Sequence, residues 1–548
     1  MFVPFLNALT PVDLPPLIST EHAAFGVFRA TKCLFIMVVY TIITASKQTV
    51  KKPVNGRIYV YERMPYYDKT IKNTKYHYKY IGTEINGKTK RIRSILPRRS
   101  LIYGPFIPLL KITESIGLME MLHRYLTEDE CNRVIALAIS KIVRPLPQNS
   151  ISTWYDGTYL SVVIPANISS QRNSELMEKI GSSDLYRRFS LDLIRKLNPE
   201  SSLLYDITSI PSYSVAPIFE YGHAKDHDEL EQINFSMLME KRRGIPLYYE
   251  LYPGSIPDIV TLKRTIEYLS PRIREMEIIL DRGFFSVDNI RLVSKMKYTM
   301  AASIVRKEVK ALFSSATRTV DRADNVIMYD GNPIFCQDVS FPIEELNLTG
   351  YFYHDPKREA EERSDFHRRL KEKREMIEKM QVRKGLRRSI ESTAGSCIRY
   401  ISYGVDNGHI TTKAKDNAIS AEENRMGRFL LVYRGEYSAL ECLSLYRQRD
   451  AIEKAFRVLK TDLDLFPLRD HKESTIRGTM FVFFLSMIIR TALLRGMQSS
   501  RLNEKYSIER MLLELEKLHM MEDQNGNMKE LERTRKQKDI LEVLLSWL

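Results

Sequence analysis

The sequence predicts an α/β protein. A mixed-sheet core is interrupted by an inserted subdomain, preceded by a small N-terminal α+β domain and followed by a helical C-terminus. Three observations carry this reading. Apolar strand-like segments at 202–210, 244–252 and 277–281 follow one another, with a helical pattern between the second and third. Far more chain separates Asp281 from the helix at 446–460 than an ordinary connection of about 4–6 residues takes. Helical patterns also lead into the core and fill the tail.

Taken in order, residues 1–55 read as an apolar or poorly ordered extension. Cys33–Ala45 is a largely apolar run preceded by Arg29 and Lys32, resembling a signal-peptide core or short anchor. It is shorter than the ~20 residues of a membrane span. An extension from an upstream start codon, with Met37 an alternative start, is preferred to an anchor. Residues 56–146 read as a basic N-terminal domain, either a reader of DNA ends or a packing domain whose charges are merely solvated. Arg57–Arg63 and Tyr76–Ile81 alternate like strands, and helical patterns follow near 110–125 and 128–143. Thr127 with Glu130 has capping-box spacing at the start of the second helix. A helical connector, 147–198, leads to the first part of the core, 199–305.

Within the core, the strand at 202–210 carries one acid, Asp206. A buried carboxylate is costly unless a cation or metal answers it, although an Asp bonding Thr208 or Ser209 in its own turn would also satisfy it. A turn-rich stretch from Tyr221 through Asp226 precedes the strand at 244–252, and the loop from Pro253 to Asp258 closes it. The strand at 277–281 ends on Asp281, and Gly283 turns the chain out. Strand ends in α/β sheets are where reactive groups collect. Residues 298–305 read as one further strand. Two hairpin-connected strands, then a third ending on an acid, then helices, is the order of a ribonuclease-H-like sheet.

Residues 306–425 are the inserted subdomain. Within it, 356–391 is a highly charged helical stretch, either a DNA-facing arm or a solvated face; its mixed signs favour the latter. The chain returns to the core over 426–500, and 501–548 is helical. Residues 479–489 are apolar but interrupted by Arg490, which reads as a buried core helix and not a span.

The helix at 446–460 organises the rest. No Pro or Gly interrupts it. At ~100° per residue, measured from Tyr446, Arg449 falls near 300°, Glu453 near 340° and Lys460 near 320°. Ile452, Ala455, Phe456, Leu459 and Leu463 share the neighbouring sector and would seat the helix on a core. The polar stripe is open to a solvated reading, since Arg449 and Glu453 have i,i+4 spacing. The two acids in strand settings upstream favour a functional one.

Lys plus Arg total 83 against 68 acids, a net charge of +15, which favours a polyanionic partner such as nucleic acid. The five cysteines are scattered without C-x-x-C spacing, so neither a zinc site nor a disulfide framework is indicated and a reducing cytosol fits.

The chain resembles the DDE transposases of the insertion-sequence-four superfamily, closest to the insertion sequence 1634 branch. The resemblance runs from about Gly56 to the C-terminus. Its most specific element is the spacing Tyr-(2)-Arg-(3)-Glu-(6)-Lys, met by Tyr446, Arg449, Glu453 and Lys460. The segment around Asp206, with Tyr205 before it, resembles the family's first-Asp strand, and Asp281 through Ser286 its second-Asp segment. This implies a ribonuclease-H-like enzyme that nicks transposon ends and joins them to target DNA. Asp206, Asp281 and Glu453 are implied to hold two Mg²⁺ ions, for which Mn²⁺ substitutes, about 3.5–4 Å apart. Tyr446, Arg449 and Lys460 are implied to grip the end phosphate. The implied partners are terminal inverted repeats and target DNA, engaged by a homodimer on paired ends, with no small-molecule substrate and no membrane. The implied location is cytoplasmic, on the nucleoid when bound to DNA. A ribonuclease-H-like nuclease or resolvase without strand transfer, and a catalytically inactive transposase-derived DNA-binding protein, are the alternatives.

Overall fold

The computed structural model describes residues 48–547 apart from 55, 69–71, 86, 92–96, 200–201, 223–229, 274, 305, 407, 464 and 466–469. The apolar run at 33–45, Met37 and the turn around Asp226 lie outside the described residues. The chain divides into two compact units, one ending at Pro97 and taking in Asp523–Asn525, the other holding Arg98–Glu522 and Gly526–Leu548.

The first unit is an antiparallel sheet of β1 (Gln48–Val54), β2 (Arg57–Asp68), β3 (Asn73–Ile85) and β4 (Lys88–Arg91), in that order. The alternation at 57–63 and 76–81 falls on β2 and β3. A bulge at Val60/Tyr61 lets Tyr59 and Tyr61 both approach Tyr80, with ring centroids 5.7 and 5.4 Å apart. Lys52 lies 4.2 Å from the Tyr78 ring and Arg63 4.3 Å from the Tyr76 ring. Tyr76 and Tyr78 are exposed.

The helices expected at 110–125 and 128–143 belong to the second unit, because their apolar faces are part of its main core. The capping box forms: Glu130 N–H donates to the Thr127 hydroxyl at 3.4 Å, and Thr127 N–H to the Glu130 carboxylate at 3.0 Å. Before these helices, β5 (Arg99–Ile102) begins a small sheet completed by strands from the tail.

The main sheet is mixed and has nine strands. β6 (Leu203–Pro211), β7 (Gln232–Glu240) and β8 (Pro246–Pro253) form an antiparallel meander. β9 (Glu277–Leu280) runs parallel to β6 on its other side, and β10 (Lys297–Ala301) parallel to β9. A backbone crossing pins the end of the meander. A Cβ on Gly222 would lie 2.1 Å from the Gly254 carbonyl, and one on Gly254 2.4 Å from the Gln232 carbonyl, so neither site has room for a side chain.

The span 306–425 divides. β11 (Val326–Tyr329), β12 (Asn332–Ile343) and β13 (Leu346–His354) extend the main sheet, because their alternating apolar residues pack on its core. The helices Pro356–Glu378, Leu386–Ala394 and Asp416–Glu423, with the hairpin of β14 (Ile401–Asp406) and β15 (His409–Ala414), enclose a separate small core around Phe366, Ile377 and Ile390. On Pro356–Glu378 the charges pair along the helix, Arg358 with Glu362 at 2.8 Å and Arg363 with Glu359 at 3.0 Å, the pattern of a solvated face. β16 (Arg428–Arg434) returns between β13 and β10.

The helix Glu473–Ser499 crosses the main core. It continues past Arg490, which ends the apolar run and whose side chain pairs with Asp462 at 2.6 Å and with Glu509. It is the one helix among the described residues long and apolar enough to cross a membrane, and 83% of its apolar window is buried inside the protein. The tail supplies β17 (His519–Glu522), paired with β5, and β18 (Met528–Glu530), flanked by helices Ile508–Glu516 and Arg535–Trp547. Cys131, Cys336, Cys397 and Cys442 are free thiols.

Candidate active site

Parallel pairing of β6 with β9 matches Tyr205 to Leu280, so one residue further along each strand come Asp206 and Asp281. Neighbouring strands lie ~4.8 Å apart, and two carboxylates held side by side repel unless a cation answers them. Tyr205, on the opposite face, engages Thr261 through its hydroxyl at 3.1 Å. Asp206 is buried; its Oδ1 accepts the Ile207 N–H at 2.8 Å, and the Ser209 hydroxyl meets Asn234 Oδ1. Asp281 opens a single 3-10 turn, Arg282–Phe284.

The stretch at 446–460 is not the single regular helix the sequence predicts. A helix ends at Arg447, a second runs Asp450–Arg457, and Val458–Asp462 is a π-helical turn. At the junction the bonds tighten: Arg449 N–H donates to Tyr446 O at 3.0 Å and Ile452 N–H to Arg449 O at 3.0 Å. Long-range contacts of Tyr446 and Arg449 with the strand-borne acids hold this break where propensity alone would continue the helix. Ile452 and Phe456 seat the second helix as the apolar sector requires, Phe456 meeting the Phe235 ring edge-on at 6.1 Å.

Arg449 occupies the space among the acids. Its Nη1 lies 3.4 Å from Asp206 Oδ2 and 3.4 Å from Asp281 Oδ2, and its Nη2 lies 2.6 Å from Glu453 Oε1. Burial works against its charge, but Tyr446 and the three carboxylates outweigh it and raise the guanidinium's pKa. The Tyr446 hydroxyl donates to Asp281 Oδ1 at 3.1 Å. Burial, reinforced by the Asp281 charge, raises its pKa, so it remains a protonated donor. Glu453 is half exposed, at 49%.

These groups open onto a recess of about 350 Å³, lined also by Lys460, Thr208, Arg457 and Thr461. All six predicted residues are therefore near one another, with Lys460 on the π-helical turn and Tyr446 behind Asp281. Arg457 was not singled out from the sequence. Its signal was present, since it falls about 20° from Tyr446 on the helical wheel and one turn beyond Glu453.

Three carboxylates are the hard oxygen donors that a divalent cation such as Mg²⁺ takes. They already converge on one cationic group, the Arg449 guanidinium, so their chemistry fits an ion. Their spacing is that of a guanidinium: among the described residues no three acidic, His or Cys side chains are close enough to hold a metal ion as they stand.

A family profile described as the transposase DDE domain matches residues 199–489, from β6 through most of the Glu473–Ser499 helix. No curated protein matches. Among solved structures, a piggyBac transposase in a synaptic complex with hairpin DNA aligns with a TM-score of 0.35 and 11% identity, covering 76% of this chain and 80% of that one. Since the profile spans more than half of its length, the chain belongs to the transposase DDE domain family.

Proposed function

We propose that the chain is a DNA transposase of the insertion-sequence-four superfamily, insertion sequence 1634 branch, that nicks transposon ends and joins their 3′ ends to target DNA. The core is read as ribonuclease-H-like, supported by the strand order β8-β7-β6-β9-β10 with three antiparallel and two parallel strands. The observation that carries the functional reading is the convergence of Asp206, Asp281 and Glu453, remote in sequence, on one guanidinium in a recess that Arg457 and Lys460 also line.

Asp206, Asp281 and Glu453 would hold two Mg²⁺ ions. When bound, these activate the attacking water or 3′-hydroxyl and stabilise the leaving oxygen. Hydrolysis breaks a P–O3′ bond and frees a 3′-hydroxyl at the transposon end. That hydroxyl then forms a new bond to a target phosphorus, releasing a target 3′-hydroxyl. Arg449 has two roles in sequence: counter-ion to the acids before DNA binds, then a bidentate grip on the end phosphate. Lys460 and Arg457 add charge beside the reacting phosphate, and Tyr446 supplies a neutral hydrogen-bond donor. The exposed tyrosine and cation face of β1, β2 and β3 suits contact with DNA ends. Pairing two ends calls for a homodimer on DNA.

The decisive experiment supplies the purified protein with labelled element ends, a target plasmid and Mg²⁺ or Mn²⁺. Joined products are expected. Cuts without joining would make it a nuclease or resolvase, and shifted bands without cutting a DNA-binding protein only.

A further inference from the structure

On the other flank of the Glu453 helix lies a larger recess, of about 450 Å³. It is bounded by the turn between β7 and β8, by the junction at Arg447–Asp450, and by the Glu473–Ser499 helix. Seven of its lining side chains are cations and one, Asp450, is an acid. Four of the cations have carboxylate partners: Lys454 with Asp450 at 2.7 Å, Arg490 with Asp462 at 2.6 Å, Arg243 with Glu240 at 3.7 Å, and Arg447 with Asp355.

Lys241 and Arg495 do not. Neither has a carboxylate within ion-pair distance among the described residues. Arg495 Nη1 instead donates to the Arg242 carbonyl at 2.9 Å, which ties the long helix to the β7–β8 turn and aims both cations into one space. Burial holds the Lys241 ammonium below its ordinary range, with Glu277 acting weakly the other way. Like charges gathered in a concave, partly desolvated site are unfavourable until an anion joins them.

We propose that this recess is a second phosphate-binding site, which takes backbone phosphates of the DNA flanking the reacting phosphodiester. The proposal rests on the DNA-transposase reading. The helix Asp450–Arg457 separates the two recesses, Glu453 lining one and Lys454 the other. A helix with its side chains is ~10–12 Å thick, a distance that DNA spans within a few nucleotides of one strand.

The test is fluorescence anisotropy of the full chain with a random-sequence DNA duplex over a range of salt concentrations. The Lys241→Gln, Arg495→Gln double variant should bind roughly tenfold more weakly, with a log K against log salt slope shallower by about two. The charge-preserving Lys241→Arg, Arg495→Lys variant should regain the parental slope. If thermal melting shows that the glutamine variant is unfolded, Gln498→Glu, at the exposed rim of the recess, places a negative charge there without removing a core contact and should flatten the slope by about one. A parental slope in a folded glutamine variant, or in Gln498→Glu if the former does not fold, overturns the second site while leaving the DNA reading intact. A parent protein without salt-dependent DNA binding overturns both.

Discussion

The two recesses beside the Glu453 helix share that helix and the π-helical turn after it, and differ in how their charges are answered. On one flank three carboxylates surround Arg449, and with Arg457 and Lys460 in the same recess its cations and acids are equal in number. On the other, Lys241 and Arg495 stand without a carboxylate partner among the described residues. A balanced centre is stable without ligand but must exchange its counter-ion before it can take metal and phosphate. A surplus of cations needs no such exchange and is suited to hold the DNA backbone continuously. Glu453 and Lys454 are adjacent in sequence, and the ~100° step between successive helical residues is what sends them to opposite tasks.

The strongest way to break this contrast is at the acids. Asp206→Asn, Asp281→Asn and Glu453→Gln should each reduce Mg²⁺-dependent cleavage of labelled ends by more than the ~10–100-fold that losing an outer-shell metal partner costs. End binding, read by gel shift, should remain. Cleavage at parental rate in any of the three removes that residue from the centre.

Next in size is Arg449→Ala. It removes the guanidinium that pairs with both the buried Asp206 and Asp281, and breaking a buried pair in this way costs about 3–5 kcal/mol. In metal-free buffer the variant should therefore melt several degrees below the parent. Added Mg²⁺ should stabilise it more than it stabilises the parent, since no guanidinium competes for the acids. Equal Mg²⁺ responses in calorimetry would show that Arg449 is not the resting counter-ion. Lys460→Ala and Arg457→Ala should act on DNA, each flattening the salt dependence of end binding by about one unit of slope. An unchanged slope would detach that residue from the phosphate.

Much of this centre was legible in the sequence because local patterns encode it. An acid inside an apolar strand, a second at a strand end and a polar stripe on a helix mark Asp206, Asp281 and Glu453 without knowledge of the fold. Local patterns say nothing of what meets what across the chain. Arg449 has i,i+4 spacing to Glu453, which hides its contacts with two acids on neighbouring strands. The break at Gln448–Arg449 has the same origin, tertiary ion pairs and hydrogen bonds overriding local preference. The extension of the main sheet by β11, β12 and β13 was illegible for a different reason: strand segments do not name their partners.

The smallest expected effect sharpens the contrast most finely. Lys454 pairs with Asp450 at 2.7 Å, but both side chains are more than half exposed, and exposed i,i+4 pairs are worth only about 0.3–0.5 kcal/mol. Lys454→Gln should therefore leave the melting temperature within about a degree or two of the parent's. Its charge, however, faces the cationic recess. The same substitution should weaken duplex binding at low salt by a fewfold and lose that effect at high salt, where screening contracts to ~3 Å at 1 M. A stability loss without any change in DNA affinity would mean that Lys454 serves only its helix, and that the cationic flank begins at the β7–β8 turn.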